Sequence, residues 1–71
     1  MEYRMKTEWH HNRSIGWYVA FGIQAYRQKQ LLVYIPDVFC NRRDAEAFVN
    51  MCNRLHLETI HLHDVLEDIL P

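Results

Sequence analysis

The chain is expected to fold as a small α+β domain: a three-stranded antiparallel meander in the order β-β-β-α-α, with two C-terminal helices packed on one sheet face. Three observations predict this. Residues 2–35 hold three runs rich in aromatic and β-branched side chains. The connections between those runs are short, as antiparallel neighbours require. Residues 41–70 carry apolar side chains at helical spacing. Strands followed by helices, without alternation, indicate an α+β arrangement.

The first strand covers residues 2–10. Tyr3, Met5, Thr7 and Trp9 lie on one side and Glu2, Arg4, Lys6, Glu8 and His10 on the other, the period-two pattern of a half-buried strand. The segment from His11 to Gly16 has turn composition. A second strand runs from Trp17 to about Tyr26 and is apolar on both faces, which places it centrally. Gly22 inside it suggests a bulge or a close backbone approach. A polar link from Arg27 to Gln30 leads to a third strand, Leu31 to Ile35, ended by Pro36, which cannot donate to a ladder.

Asn41 is the expected N-cap of the first helix, with Asp44 three residues on. Ala45, Phe48, Val49, Cys52 and Leu55 form its stripe, and residues 53–56 close it. Thr59 is expected to cap the second helix, whose stripe is Ile60, Val65, Leu66 and Ile69, flanked by Leu62 and Leu70. No repeat, low-complexity tract or linker interrupts the chain, so all 71 residues are read as one domain near the lower size limit for a self-sufficient core.

Three strands cannot wrap two helices, so one sheet face is expected to stay bare. With Trp9, Val19, Phe21, Ile23, Val33 and Ile35 turned inward, the outer face carries Arg4, Lys6, Glu8, Tyr18, Gln24, Tyr26, Leu32 and Tyr34. Aromatic side chains beside Arg are the composition of interfaces. The candidate interaction residues are therefore Tyr18, Tyr26, Leu32 and Tyr34, with Arg4 and Lys6 at the rim.

The hydrophobic content of 49% is too high for disorder, and no apolar run is long enough to span a membrane. The first residues contain no stretch of signal-peptide length, so a cytoplasmic setting is expected. In a reducing compartment Cys40 and Cys52 are expected as free thiols. Net charge is −1 but unevenly spread. Residues 1–54 hold eight Lys and Arg against five acids, giving +3, and residues 55–71 hold four acids and no Lys or Arg, giving −4. That polarity suits partner steering or the docking of helix on sheet.

His61, Asp64 and Asp68 share one helix face and His63 and Glu67 another, but zinc needs about four converging ligands. His10, His11 and His56 would have to come from other elements, so the acids are read as solvated and no metal or cofactor is expected. Cys52 sits on a core stripe, Cys40 in a turn, and the only glycines are Gly16 and Gly22. Neither an activated thiol nor a phosphate loop follows, so neither catalysis nor a small-molecule substrate is expected.

From Tyr18 onward the chain resembles a family of small clostridial and related Firmicutes proteins catalogued only as a domain of unknown function. The likeness is carried by Tyr18-Val19-Ala20-Phe21-Gly22-Ile23-Gln24-Ala25, Ile35-Pro36-Asp37-Val38, Met51-Cys52-Asn53-Arg54-Leu55 and the run from Ile60 to Leu70, with the motifs YVAFGI, MCNRL and IHLHDVLEDIL. It departs from the family pattern at Phe21, where Tyr is favoured, at Thr59, where Pro is favoured, and near the first helix cap, where Ser or Asp is favoured. The resemblance implies a bacterial, bacteriophage or mobile-element origin and no activity.

The functional expectation is a non-enzymatic protein-interaction module that associates with a second copy of itself or binds a bacterial protein. In a phage or mobile-element setting such a module is expected as an inhibitor of a host enzyme, for example a defence nuclease; context alone carries that, and no residue does. The alternative is single-stranded nucleic-acid binding, with bases stacked on the tyrosines and phosphates met by Arg4, Lys6, Arg27 and Lys29. Against it stand the near-neutral charge and the acidic last helix.

Overall fold

β1 (Glu2–Asn12), β2 (Gly16–Arg27) and β3 (Gln30–Phe39) make an open antiparallel sheet in the order β1-β2-β3. They are followed by α1 (Arg42–Arg54), a 3₁₀ turn (Thr59–His61) and α2 (Leu62–Ile69). The computed structural model describes residues 1–70.

All three strands run further than the sequence suggests. β1 and β2 pair without interruption from Glu2↔Tyr26 to Asn12↔Gly16, because the reversal needs only Arg13-Ser14-Ile15. Asn12 accepts the Ser14 amide at 2.8 Å, and Gly16 takes φ +82°, the left-handed position that a three-residue hairpin reserves for glycine. Gln28 and Lys29 make the second reversal alone, both at positive φ (50° and 68°), which matches the twist of the flanking strands.

Pro36 does not end β3. The two-residue step Phe21–Ile23 faces the four-residue step Ile35–Phe39, so Pro36 falls in a bulge where no ladder bond is demanded of it. Asp37 turns through φ +53° there, and its amide donates to Glu8 Oε1 at 2.9 Å.

Asn41 caps α1 as expected, accepting the amides of Arg43 (2.8 Å) and Asp44 (3.3 Å). At the other end His56 occupies the left-handed position, with bonds from His56 N to Asn53 O and from Leu57 N to Cys52 O. This is a Schellman closure with histidine where glycine is usual.

Both helices contribute to one core, on one side of the sheet. Tyr3, Ile23 and Ala25 meet Phe48, Val49 and Cys52 of α1 and Leu62 and Leu66 of α2. Each large side chain so buried stabilises the fold by about 1.5–3 kcal/mol. Both cysteines are unbonded, Cys40 exposed and Cys52 buried.

Three expectations fail at the second helix, one of them the place of Ile69 on the buried stripe, since it is 48% exposed. Thr59 does not cap it; Thr59 opens the 3₁₀ turn, and α2 begins without a side-chain cap. Ile60 is 80% exposed, because a tighter turn of three residues rotates it off the α-helical stripe. Leu62, Val65 and Leu66 do the packing instead. Among the described residues no helix is long and apolar enough to cross a membrane.

Candidate interaction surfaces

The bare face of the sheet is ordered by pairs running from β1 to the tyrosines. The Arg4 guanidinium lies 4.5 Å from the centre of the Tyr26 ring, and the Lys6 ammonium 4.8 Å from that of Tyr34. His10 stacks on Tyr18 with centroids 5.6 Å apart. Arg4 is also held by Glu2, whose carboxylate raises the guanidinium pKa further. Lys6 makes no ion pair among the described residues. Of the candidate residues, Arg4 meets Tyr26 and Lys6 meets Tyr34, whereas Tyr18 belongs to a separate group. Leu32 is the extra residue of a second bulge on the β3 edge, where Ala25 pairs with Val33 but Tyr26 with Leu31.

Glu8 shares this face but is not solvated; it is 7% exposed. Its carboxylate lies across Gly22, where a Cβ would stand 2.7 Å from Oε2, 2.9 Å from the Ile35 carbonyl oxygen and 2.9 Å from the Tyr34 ring. This is the close approach that the glycine suggests. Oε1 accepts the Asp37 amide and contacts His10 Nε2 at 2.9 Å, while Oε2 has no hydrogen-bond partner. The Tyr18 hydroxyl donates to Asp37 Oδ2 at 3.0 Å, and that bond raises the phenol pKa.

The structure exposes a second surface that the strand pattern alone did not suggest. Trp9, expected inside, is 70% exposed; Trp17 is 69% and Ile15 69% exposed. Lengths explain it. Eleven strand residues reach about 36 Å at roughly 3.3 Å each, and the molecule measures 37 Å along its longest axis. Thirteen helical residues reach only about 20 Å. α1 is anchored at the Tyr3 end, through Asn53, and its Phe48 meets Phe39 opposite Phe21. The β1–β2 hairpin beyond that level projects without a helix beneath it. Trp9 and Trp17 keep the inward side of the strand pattern, but none of the other described residues covers them. His11 packs edge-on against Trp17, with centroids 5.2 Å apart.

An apolar cleft of about 630 Å³ opens where the end of β3 meets both helices, lined by Val38, Phe39, Cys40, Met51, Ile69 and Leu70. Asp44 is its only charged lining residue. Among the described residues no three His, Cys, Asp or Glu side chains are placed to hold a metal ion.

The fold and these surfaces define a small α+β protein with a half-covered three-stranded sheet and a projecting tryptophan hairpin. Comparison with protein-family models, with curated proteins and with solved structures finds no match.

Proposed function

We propose that this chain is a non-enzymatic protein-interaction module. The observation that carries the reading is the pair of tryptophans left some seven-tenths exposed on a continuously paired hairpin. Tryptophan is the side chain most enriched among residues that dominate binding energy, and a rigid strand pair presents it at low entropic cost. Tyr18, Tyr26, Tyr34 and Leu32, with Arg4 and Lys6, extend the contact over the bare face. The partner is a second copy of the chain or a bacterial protein. The proposed setting, bacterial or phage and mobile-element, rests on the family resemblance alone, as does the idea of an inhibitor.

The nucleic-acid reading is weaker. A base stacks on an open ring face, and Arg4, Lys6 and His10 already lie against Tyr26, Tyr34 and Tyr18.

The test is affinity capture with wild type and with Trp9→Ala/Trp17→Ala. A saturable protein partner retained by wild type and lost by the double variant is expected. Salt-sensitive capture of single-stranded RNA or DNA, abolished by Tyr26→Ala/Tyr34→Ala and indifferent to the tryptophans, would overturn the reading.

A further inference from the structure

We infer that the free edge of β1 pairs antiparallel with β1 of a second copy about a twofold axis at Thr7, joining two sheets into one of six strands. The inference rests on the interaction-module reading and names the partner and the contact.

The edge is available. The Tyr3 amide and carbonyl are both taken by the Asn53 side chain, so they point away from β2. Strand alternation turns the backbone groups of Met5, Thr7, Trp9 and His11 the same way. β1 pairs with β2 residue for residue, so this edge is straight over its whole length. The free edge of β3 carries two register shifts and Pro36, devices that blunt an edge. β1 has neither proline nor bulge; Asn53 covers its start, and the charges of Arg4 and Lys6 are the other guard along it.

Avoidance of directly opposed like charges, together with the Met5–Trp9 contact, selects the register. Only outward-facing residues can exchange hydrogen bonds across the new ladder, which leaves few alignments. Centred on Lys6 or on Glu8, the axis sets two like charges directly opposite, which is unfavourable. Centred on Trp9, it leaves Lys6 facing Asn12. Centred on Thr7, it sets Lys6 opposite Glu8 on both sides of the axis, Arg4 opposite His10 and Met5 opposite Trp9. Lys6, without a carboxylate in its own chain, comes to lie beside the strand position of Glu8, whose carboxylate is turned inward over Gly22. The exposed Trp9 indole gains the thioether of Met5, a favourable sulfur–aromatic contact, on the side where the second copy's helices lie. Three pairs, Met5 with Trp9, Thr7 with Thr7 and Trp9 with Met5, then exchange backbone bonds. The next would need Tyr3, which Asn53 occupies, so the ladder stops there.

A ladder of this length belongs to the smaller class of interfaces, below about 1,200 Å², so sedimentation equilibrium must reach about 1 mM, where weak pairs associate. A monomer–dimer equilibrium is expected. Thr7→Pro should abolish it with the far-ultraviolet spectrum unchanged, because the lost amide faces away from β2. Lys6→Glu should weaken it roughly tenfold by setting acids opposite Glu8. In a Cys40→Ser background, Thr7→Cys should oxidise to a covalent dimer, since paired strands hold such Cα atoms about 5.5 Å apart; Lys6→Cys should not. A strict monomer at 1 mM, a dimer that survives Thr7→Pro, or cross-linking through position 6 overturns the inference. Partner capture lost with the two tryptophans, in a chain that stays monomeric, overturns self-pairing alone and leaves the module reading intact.

Discussion

The Asn53 side chain pairs with the Tyr3 backbone as a neighbouring strand would: its Oδ1 accepts the Tyr3 amide at 2.7 Å and its Nδ2 donates to the Tyr3 carbonyl at 3.0 Å. The Tyr3 hydroxyl then donates to the Leu57 carbonyl at 2.7 Å, just past the Schellman turn. One residue of the sheet edge is thus fixed at three points by the end of α1 and the segment after it. This joint sets where the helix lies along the sheet, and so which part of the hairpin stays bare.

Asn53→Ala removes both backbone bonds and leaves the half-buried Tyr3 amide and carbonyl without protein partners. A loss of about 1–3 kcal/mol is expected, read as a lower urea midpoint. Asn53→Asp keeps the acceptor but loses the donor and sets a carboxylate against the Tyr3 carbonyl. It should be no better than alanine at pH 7.

Gly22→Ala places a methyl group within 2.9 Å of the Ile35 carbonyl and the Tyr34 ring and 2.7 Å from Glu8 Oε2. The carboxylate can swing away, but the carbonyl belongs to the paired strand and cannot. Overpacking of this kind costs about 1–3 kcal/mol. Thermal melting should show it, together with loss of the Tyr34 ring's contact with Lys6 in proton chemical shifts.

His56→Gly should stabilise the protein. His56 holds φ +50° at the exposed end of α1, with its side chain in solvent. Glycine adopts that conformation without the Cβ conflict, worth about 1 kcal/mol. An unchanged or lower melting temperature would mean that the imidazole contributes something beyond the turn.

Stability should fall in alkali. Burial pushes the Cys52 thiol up to about 11. Burial first, then the nearby Cys52 and Glu58, push the Tyr3 phenol up to about 12. Both groups stay neutral in the fold after the unfolded chain has begun to ionise, near pH 9 for the thiol and 10 for the phenol. The fold then binds more protons than the unfolded chain, so stability declines as pH rises. The contribution is complete below about pH 9 and is lost progressively toward pH 12. Urea midpoints across that range should show the decline, and Cys52→Ala should remove its first part.

Much of the architecture was legible. The alternation of Tyr3, Met5 and Thr7 against Arg4, Lys6 and Glu8 placed β1 and its two faces correctly, because side chains in a strand must alternate. Asn41 was recognised from its residue type, since few side chains can accept orphan helix amides. The Arg4, Lys6, Tyr26 and Tyr34 face was foreseen as uncovered, though its cation-over-ring pairing was not. That pairing depends on register between strands, which no single segment contains. Thr59 misled because a capping residue type also starts 3₁₀ turns. Glu8 misled because a carboxylate on a bare face is ordinarily wet; only the bulge that brings Asp37 back across the sheet covers it. Trp9 was misplaced although a signal existed. Strand and helix lengths, compared at their different rises per residue, leave the hairpin longer than anything able to lie beneath it.

Local chemistry along the chain determined the element order, the single covered face and the alternating charged side of β1 from Arg4 to His10, because periodicity, caps and turns act within a few residues. Tertiary structure alone decided how far along the sheet α1 is seated, through Asn53 and Tyr3. It therefore also decided that Trp9 and Trp17 stand in solvent and that the edge of β1 is free from Met5 onward. Those outcomes are set by where elements distant in sequence come to rest, and that position is fixed by packing and hydrogen bonds that exist only once the chain has closed.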